Sequence, residues 1–296
     1  MKTSLTILLA GVVALVANAA FAQGSPWLPV PKTGSVTITQ VSQEATHFYR
    51  GPNGTARGAF PYGKLEQNTT WFTANYGIAD AVAVDARIGR SAAEAASPSA
   101  AGTGPPADQD GSADMSIGVT WRFVDEDTSD AGMPSVAVRV GMIRAGDYDV
   151  GTPTAIGDGG DGFEASLLVG KVMGPIAVSA EFGIKSLNND IPQATTLTAT
   201  AHWFTPVPGL SVRAQYYSQG SDGSLNIGTP DGPPAHPDRF PQVAEEVDRI
   251  SVGATYSFGA LSVGVDRFDT RDGRNTGDFD AWAASVSYSF DLFQPN

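Results

Sequence analysis

Histidine is the side chain whose ordinary pKa suits proton transfer near neutrality, and this chain has three: His47, His202 and His236. A hydrolytic site would need a nucleophile and an acid within reach of such a base. No linked Ser or Asp motif accompanies them. His202 stands between Thr200 and Phe204, and His47 is followed by Phe48 and Tyr49, so no His-x-Ser pair forms. His202 therefore reads as a structural histidine. Three dispersed histidines in a chain without cysteine make no metal site. Gly157-Asp158-Gly159-Gly160-Asp161-Gly162 lacks the carboxylate spacing of a calcium loop and opens no helix, so it reads as a flexible outer loop. A different set of charges remains. Asp85, Arg87, Asp114, Arg122, Arg139, Glu164, Glu181, Lys185, Arg213, Arg249 and Asp266 fall on the polar side of alternating apolar stretches, as does His202. Opposed across a passage, such charges set a transverse field that orients polar solutes; paired, they close it.

Composition bounds the elements that must hold these charges. Of 296 residues, 42% are hydrophobic and 17% charged, with 34 Gly, 20 Pro and a net charge of −13. An acidic chain is not a nucleic-acid binder, which needs a basic face. Met1–Ala22 has a positive start at Lys2, an apolar run and an Ala20-Phe21-Ala22 cleavage pattern. It reads as a signal peptide for export, leaving a mature charge of −14 from Gln23 onward. No later stretch is apolar for long enough to be a transmembrane helix. In a membrane, this chain must therefore be a closed barrel.

Period-two alternation recurs along the mature chain. Met115, Ile117, Val119, Trp121 and Phe123 alternate with Ser116, Gly118, Thr120 and Arg122. The same rhythm predicts twelve strands: 34–48, 65–77, 81–91, 113–123, 135–145, 163–173, 176–186, 194–205, 209–219, 247–258, 261–269 and 279–290. In the first, Val36 and Ile38 share a face and Val41 takes the other, which suggests a bulge. Short links, such as Gly174-Pro175 and Gly259-Ala260, alternate with long ones rich in Gly, Pro and Asp. That is the pattern of a transmembrane barrel with short periplasmic turns and long extracellular loops. About 11 residues at about 3.3 Å, tilted by about 40°, rise by roughly 28 Å. This spans an apolar band of about 25 Å. Tyr76, Trp121, Phe123, Trp203, Tyr256, Phe258, Tyr288 and Phe290 fall at the short-turn ends and form the expected periplasmic aromatic girdle. The expected class is all-β: one antiparallel barrel over 34–290, preceded by a periplasmic arm (23–33) and followed by a tail (291–296). The arm, with Trp27 and three prolines, suits neither strand nor helix; its sharper reading is a plug that enters the lumen from below.

Trp27-Leu28-Pro29, Gly34-Ser35-Val36, Phe48-Tyr49-Arg50-Gly51 and Tyr76-Gly77-Ile78-Ala79-Asp80 are similar to a group of proteobacterial outer-membrane barrels. The group resembles the proteins associated with meta-cleavage phenol degradation, described as transporters, and the likeness covers chiefly residues 27–90. It implies a barrel in the outer membrane of a Gram-negative bacterium and passage of small molecules, aromatic or poorly charged ones among them. Val286-Ser287-Tyr288-Ser289-Phe290 looks like the aromatic-ended signal read by the barrel-assembly machinery.

Eleven of the inward candidates are ionisable at neutral pH, six basic and five acidic, so the surplus negative charge must sit in loops. There Asp108, Asp110, Asp147 and Asp149 are expected to share divalent cations with lipopolysaccharide. No cofactor or energy-coupling motif is present, so the expected function is passive passage of a small-molecule solute. The alternatives are a structural barrel closed by ion pairs and an enzyme acting on lipid at the strand rim through His47 or His202.

Overall fold

A strand that alternates apolar and small polar side chains presents two chemically different faces. In this chain the apolar face is the outer one. The computed structural model describes residues 24–51, 56–60, 63–96, 107–130, 132–152, 154–226 and 237–292. The expected leader (1–22), His236 and the end of the tail (293–296) lie outside the described residues. The strands are β1 (Thr33–Arg50), β2 (Ala56–Ala59), β3 (Leu65–Ala79), β4 (Val82–Ala95), β5 (Ala107–Val124), β6 (Ser135–Arg144) and β7 (Gly162–Met173). They continue as β8 (Ile176–Leu187), β9 (Ala194–Phe204), β10 (Leu210–Ser221), β11 (Glu246–Phe258), β12 (Leu261–Arg274) and β13 (Thr276–Asp291). Twelve pair antiparallel in chain order, and β13 returns to β1 from Thr33↔Asp291 to Tyr49↔Thr276, closing the barrel. The short β2 only extends the top of β1 as a hairpin. The all-β, twelve-stranded architecture is thus the one the alternation dictates.

Closure leaves every barrel strand with two hydrogen-bonded neighbours, as a bilayer requires. Ile117, Phe182 and Val252 are more than half exposed on the outer face, while Thr120, Thr200 and Ser251 on the inner face are buried. Tight turns join strands at one end. Gly174 adopts a φ of 62° in the two-residue Gly174-Pro175 link, a conformation a side chain would strain.

Two features depart from the sequence-based expectation. The bulge near Ile38 is absent: β1 pairs without a shift from Gly34 to Ala45 against both β3 and β13, and its irregularity lies higher, between Ala45 and Phe48. Val41 simply faces inward and is buried. The apolar side of β1 switches because Gln40, Ser42 and Glu44 on the outer face lie beyond the apolar band. Second, six neighbouring strands (β12, β13, β1, β3, β4 and β5) run 14–18 residues, against 10–13 for β6 to β11. They form a tall wall on one side of the outer mouth. The link expected over 270–278 is a hairpin in which only Asn275, at φ 54°, separates β12 from β13.

Candidate functional site

The inner face carries three levels of side chains. At the end with the short turns, Pro31 bridges to Gly77, and the Lys32 amide donates to the Gly77 carbonyl at 2.8 Å. A Cβ at Gly77 would lie 2.4 Å from the Pro29 and Val30 carbonyls, so only glycine admits the arm there. From that anchor beside β1 and β3, the arm crosses to the opposite wall. Trp27 and Pro26 lie against Gly170 of β7, and Gly24 lies against Leu168 and Arg139. The Gly24 amide donates to the carboxylate of Glu181 on β8. Because β8 is the sixth barrel strand from β1 in either direction, residues 24–31 traverse the bore. Trp27 Nε1 donates to Glu126 Oε1 at 2.6 Å, and the other Glu126 oxygen accepts the Val172 amide, fixing the arm to the barrel end. Arg122 belongs to this level. It pairs with Asp125 at 2.7 Å and donates to the Asp80 carbonyl.

Above the arm is a charged collar. Arg139 on β6 is 1% exposed and donates to both oxygens of Asp85 (2.9 and 2.6 Å) and to Glu164 at 2.5 Å. Its guanidinium passes over Gly118 of the intervening β5, where a Cβ would collide with it. Arg87 stacks on Trp71, its guanidinium carbon 3.6 Å from the ring centroid, and Gly89 makes room for that ring. Behind Trp71 pack Val41, Phe268, Ala281 and Ala283. On the other side Arg213 pairs with Asp266. His202 is buried opposite Arg213 in the strand register, with Ala177 on its other side. His47 lies far from it, up the tall wall, against Thr46 Oγ1.

Part of the outer mouth is occupied by chain that the sequence places in free loops. Residues 145–152 and 154–161 fold inward. Asp114 accepts from the Gly146 amide, the Tyr148 hydroxyl and the Asp158 amide, and Gln67 donates to the Ile156 carbonyl. Asp158 pairs with Lys185 of β8 at 2.6 Å, which holds its carboxyl below the usual range. The glycine-aspartate run is therefore a packed part of the mouth, not a free outer loop, because Tyr148 and Asp114 satisfy its backbone. Burial pushes the Tyr148 hydroxyl up, with Asp114 adding to it, and burial likewise raises Glu245. Arg249 and Tyr217 share the electrostatic neighbourhood of Glu245. Of the loop acids expected to hold cations, Asp110 is paired with Arg90 at 2.6 Å. Among the described residues no group of three His, Cys, Asp or Glu could hold a metal ion.

The eight aromatics expected at the girdle lie at the short-turn ends. Trp121, Phe123, Trp203, Tyr256, Phe258 and Tyr288 are close to half exposed. Tyr76 stacks on Phe290, and Tyr256 on Phe258. What the sequence reading missed are the inward apolar residues, Trp71, Leu168 and Phe268. Their signal is adjacency. Trp71-Phe72, Leu167-Leu168 and Arg267-Phe268 each put large side chains on both faces of one strand.

No family model and no curated protein matches the chain. Among solved structures it is similar to the COG4313 outer membrane channel from Pseudomonas putida F1. The TM-score is 0.68 at 15% identity, over 92% of this chain and 99% of that one. At that identity the likeness shows the fold, a closed antiparallel barrel. The chain is also similar to the translocator domain of autotransporter NalP from Neisseria meningitidis (TM-score 0.47, 12% identity, 96% of each chain). A further match is the CymD monoaromatic hydrocarbon channel (TM-score 0.44, 10% identity, 90% of each chain).

Proposed function

We propose that the chain is a channel in the outer membrane of a Gram-negative bacterium, exported by a cleaved signal peptide, through which small molecules pass down their gradients. The observation that carries this reading is the arm. Residues 24–31 span the bore from Gly77 to Glu181 and are held by a few hydrogen bonds, the arrangement of a plug over a passage. A barrel with a purely structural task has no need of a separate segment across its base. Aromatic and poorly charged solutes fit the interior, since Trp71 and the apolar cluster behind it face inward. The resemblance of residues 27–90 to the barrels associated with meta-cleavage phenol degradation points the same way. Lipid and lipopolysaccharide surround the apolar band in this reading, and the barrel-assembly machinery reads β13.

Deleting residues 23–32 from the mature protein should raise single-channel conductance in planar bilayers severalfold. An unchanged current would leave the arm a linker. One observation favours a second reading, a structural barrel: Arg139 ties Asp85 to Glu164 across four neighbouring strands, β4 to β7. A barrel that stays silent in the bilayer even without the arm would support it.

A further inference from the structure

Most of the cations on the inner wall are matched. Arg139 has Asp85 and Glu164, Arg213 has Asp266, Lys185 has Asp158, and Arg122 has Asp125. Arg87 differs. Among the described residues no carboxylate lies within ion-pair distance of its guanidinium; its one close partner is the face of Trp71 at 3.6 Å. Glu164 acts on Arg87 through the field alone, and its Oε1 is engaged by Arg139. Arg87 and Trp71 are both partly exposed to the interior, whereas Val41, Phe268, Ala281 and Ala283 behind Trp71 are buried. The inner wall thus offers, side by side, a planar cation with free donors and an apolar aromatic surface with a packed backing.

We propose that Arg87 and Trp71 form a binding site for an aromatic monocarboxylate inside the barrel; the inference rests on the channel reading for its route of access. The carboxylate takes the outer edge of the guanidinium in a forked pair of hydrogen bonds, the geometry that arginine presents and lysine does not. The ring of the solute packs on the remaining edge of Trp71. The cation stacked on Trp71 is already oriented, so little side-chain freedom is lost on binding. A second negative charge on the solute is unfavourable, because Glu164 and Glu181 stand beside the same collar. A single carboxylate fits where a phosphate or dicarboxylate does not. Gly89 is part of the site: any larger residue there would displace the Trp71 ring, since a Cβ would lie 2.4 Å from it.

Equilibrium dialysis of the full mature protein in detergent micelles at low salt tests this, with benzoate, acetate and benzyl alcohol as probes. Benzoate should bind saturably and at least tenfold more tightly than acetate or benzyl alcohol. Arg87→Gln should weaken benzoate at least tenfold and move benzyl alcohol by less than twofold, and Arg87→Lys should fall between. Heat-modifiable migration on a gel confirms that each variant is a folded barrel. Equal benzoate binding by wild type and Arg87→Gln would overturn the site, as would benzoate binding no tighter than benzyl alcohol. Potassium chloride conductance of the arm-deleted barrel separates the two readings. A silent barrel that still binds benzoate through Arg87 removes the channel and keeps the site. A conducting barrel indifferent to Arg87→Gln does the reverse.

Discussion

Arg139 of β6 is 1% exposed and holds two carboxylates, Asp85 of β4, across the intervening β5, and Glu164 of the adjacent β7. Replacing it by Gln keeps much of the volume but leaves both acids facing a confined interior without their cation. Breaking a buried charge network by removing one partner costs about 3 kcal/mol. Arg139→Gln should therefore lower the urea midpoint of the refolded barrel by that amount in free energy, followed by heat-modifiable migration. A loss below about 0.5 kcal/mol would mean that water in the lumen already solvates the collar. At this scale the sequence is half legible. Alternation places Asp85, Arg139 and Glu164 on one face, but the contact between β4 and β6 passes over Gly118 of β5, and nothing in the sequence signals that a guanidinium uses the missing side chain. Trp71 is less legible still, since its neighbour Phe72 supplies an equally good lipid-facing aromatic.

Among the elements, the segment 145–161 shows how a loop becomes part of the interior. Its latch is Asp158 on Lys185, with Asp114, Tyr148 and Glu245 facing the same space. Lys185 lowers the folded pKa of Asp158, so the stabilisation is complete above the ordinary carboxylate value of about 3.9. It is lost only as pH falls through the lower, folded value. Glu245 shifts the other way and loses its charge first, which relieves its repulsion of Asp158 and does not open the latch. Amide exchange in 145–152 and 154–161, corrected for intrinsic rate, should be the same at pH 7 and pH 5 and rise only once the pH has fallen well below the ordinary carboxylate value. Lys185→Gln should give fast exchange throughout. Protection that falls away already at pH 5 would show that another carboxylate holds the loop. The glycine-rich composition of this segment says only that the chain can bend; the partners that bend it inward, the acceptor Asp114 on β5 and the donor Lys185 on β8, lie outside it in sequence.

For the whole molecule, the claim to test is the height of the apolar band. Val252 and Ser42 both point outward, but Val252 lies among apolar neighbours on β11, whereas Ser42 lies on the upper part of β1 with Gln40 and Glu44. Val252→Arg should cost about 2 kcal/mol in vesicles, the penalty for a charge on the lipid face. Ser42→Arg should change stability by less than about 0.5 kcal/mol, as for an ordinary surface site. Equal costs in reversible folding into vesicles would mean that lipid covers the tall wall as well, and the band drawn from the exposed apolar residues would be wrong.

The sequence by itself determined the number of barrel strands, which face of each meets lipid, and which ends carry the short turns and aromatics. These are local properties: a strand's two faces repeat every two residues, and a membrane requires the same alternation of each strand in turn. It determined much less about height, because above the band both faces meet water and the alternation loses its meaning; β4 and β5 accordingly run on well past Ile88 and Met115, their last large outward-facing apolar residues. Only the tertiary structure decided that residues 24–31 cross the bore, that 145–161 folds back into the mouth, and that Arg87 lies against Trp71 while other inner-wall cations find acids. Such pairings depend on which inward side chains closure brings to one level, a consequence of the tilt and stagger of twelve strands. No stretch of sequence contains that relation, because it exists only once the last strand has met the first.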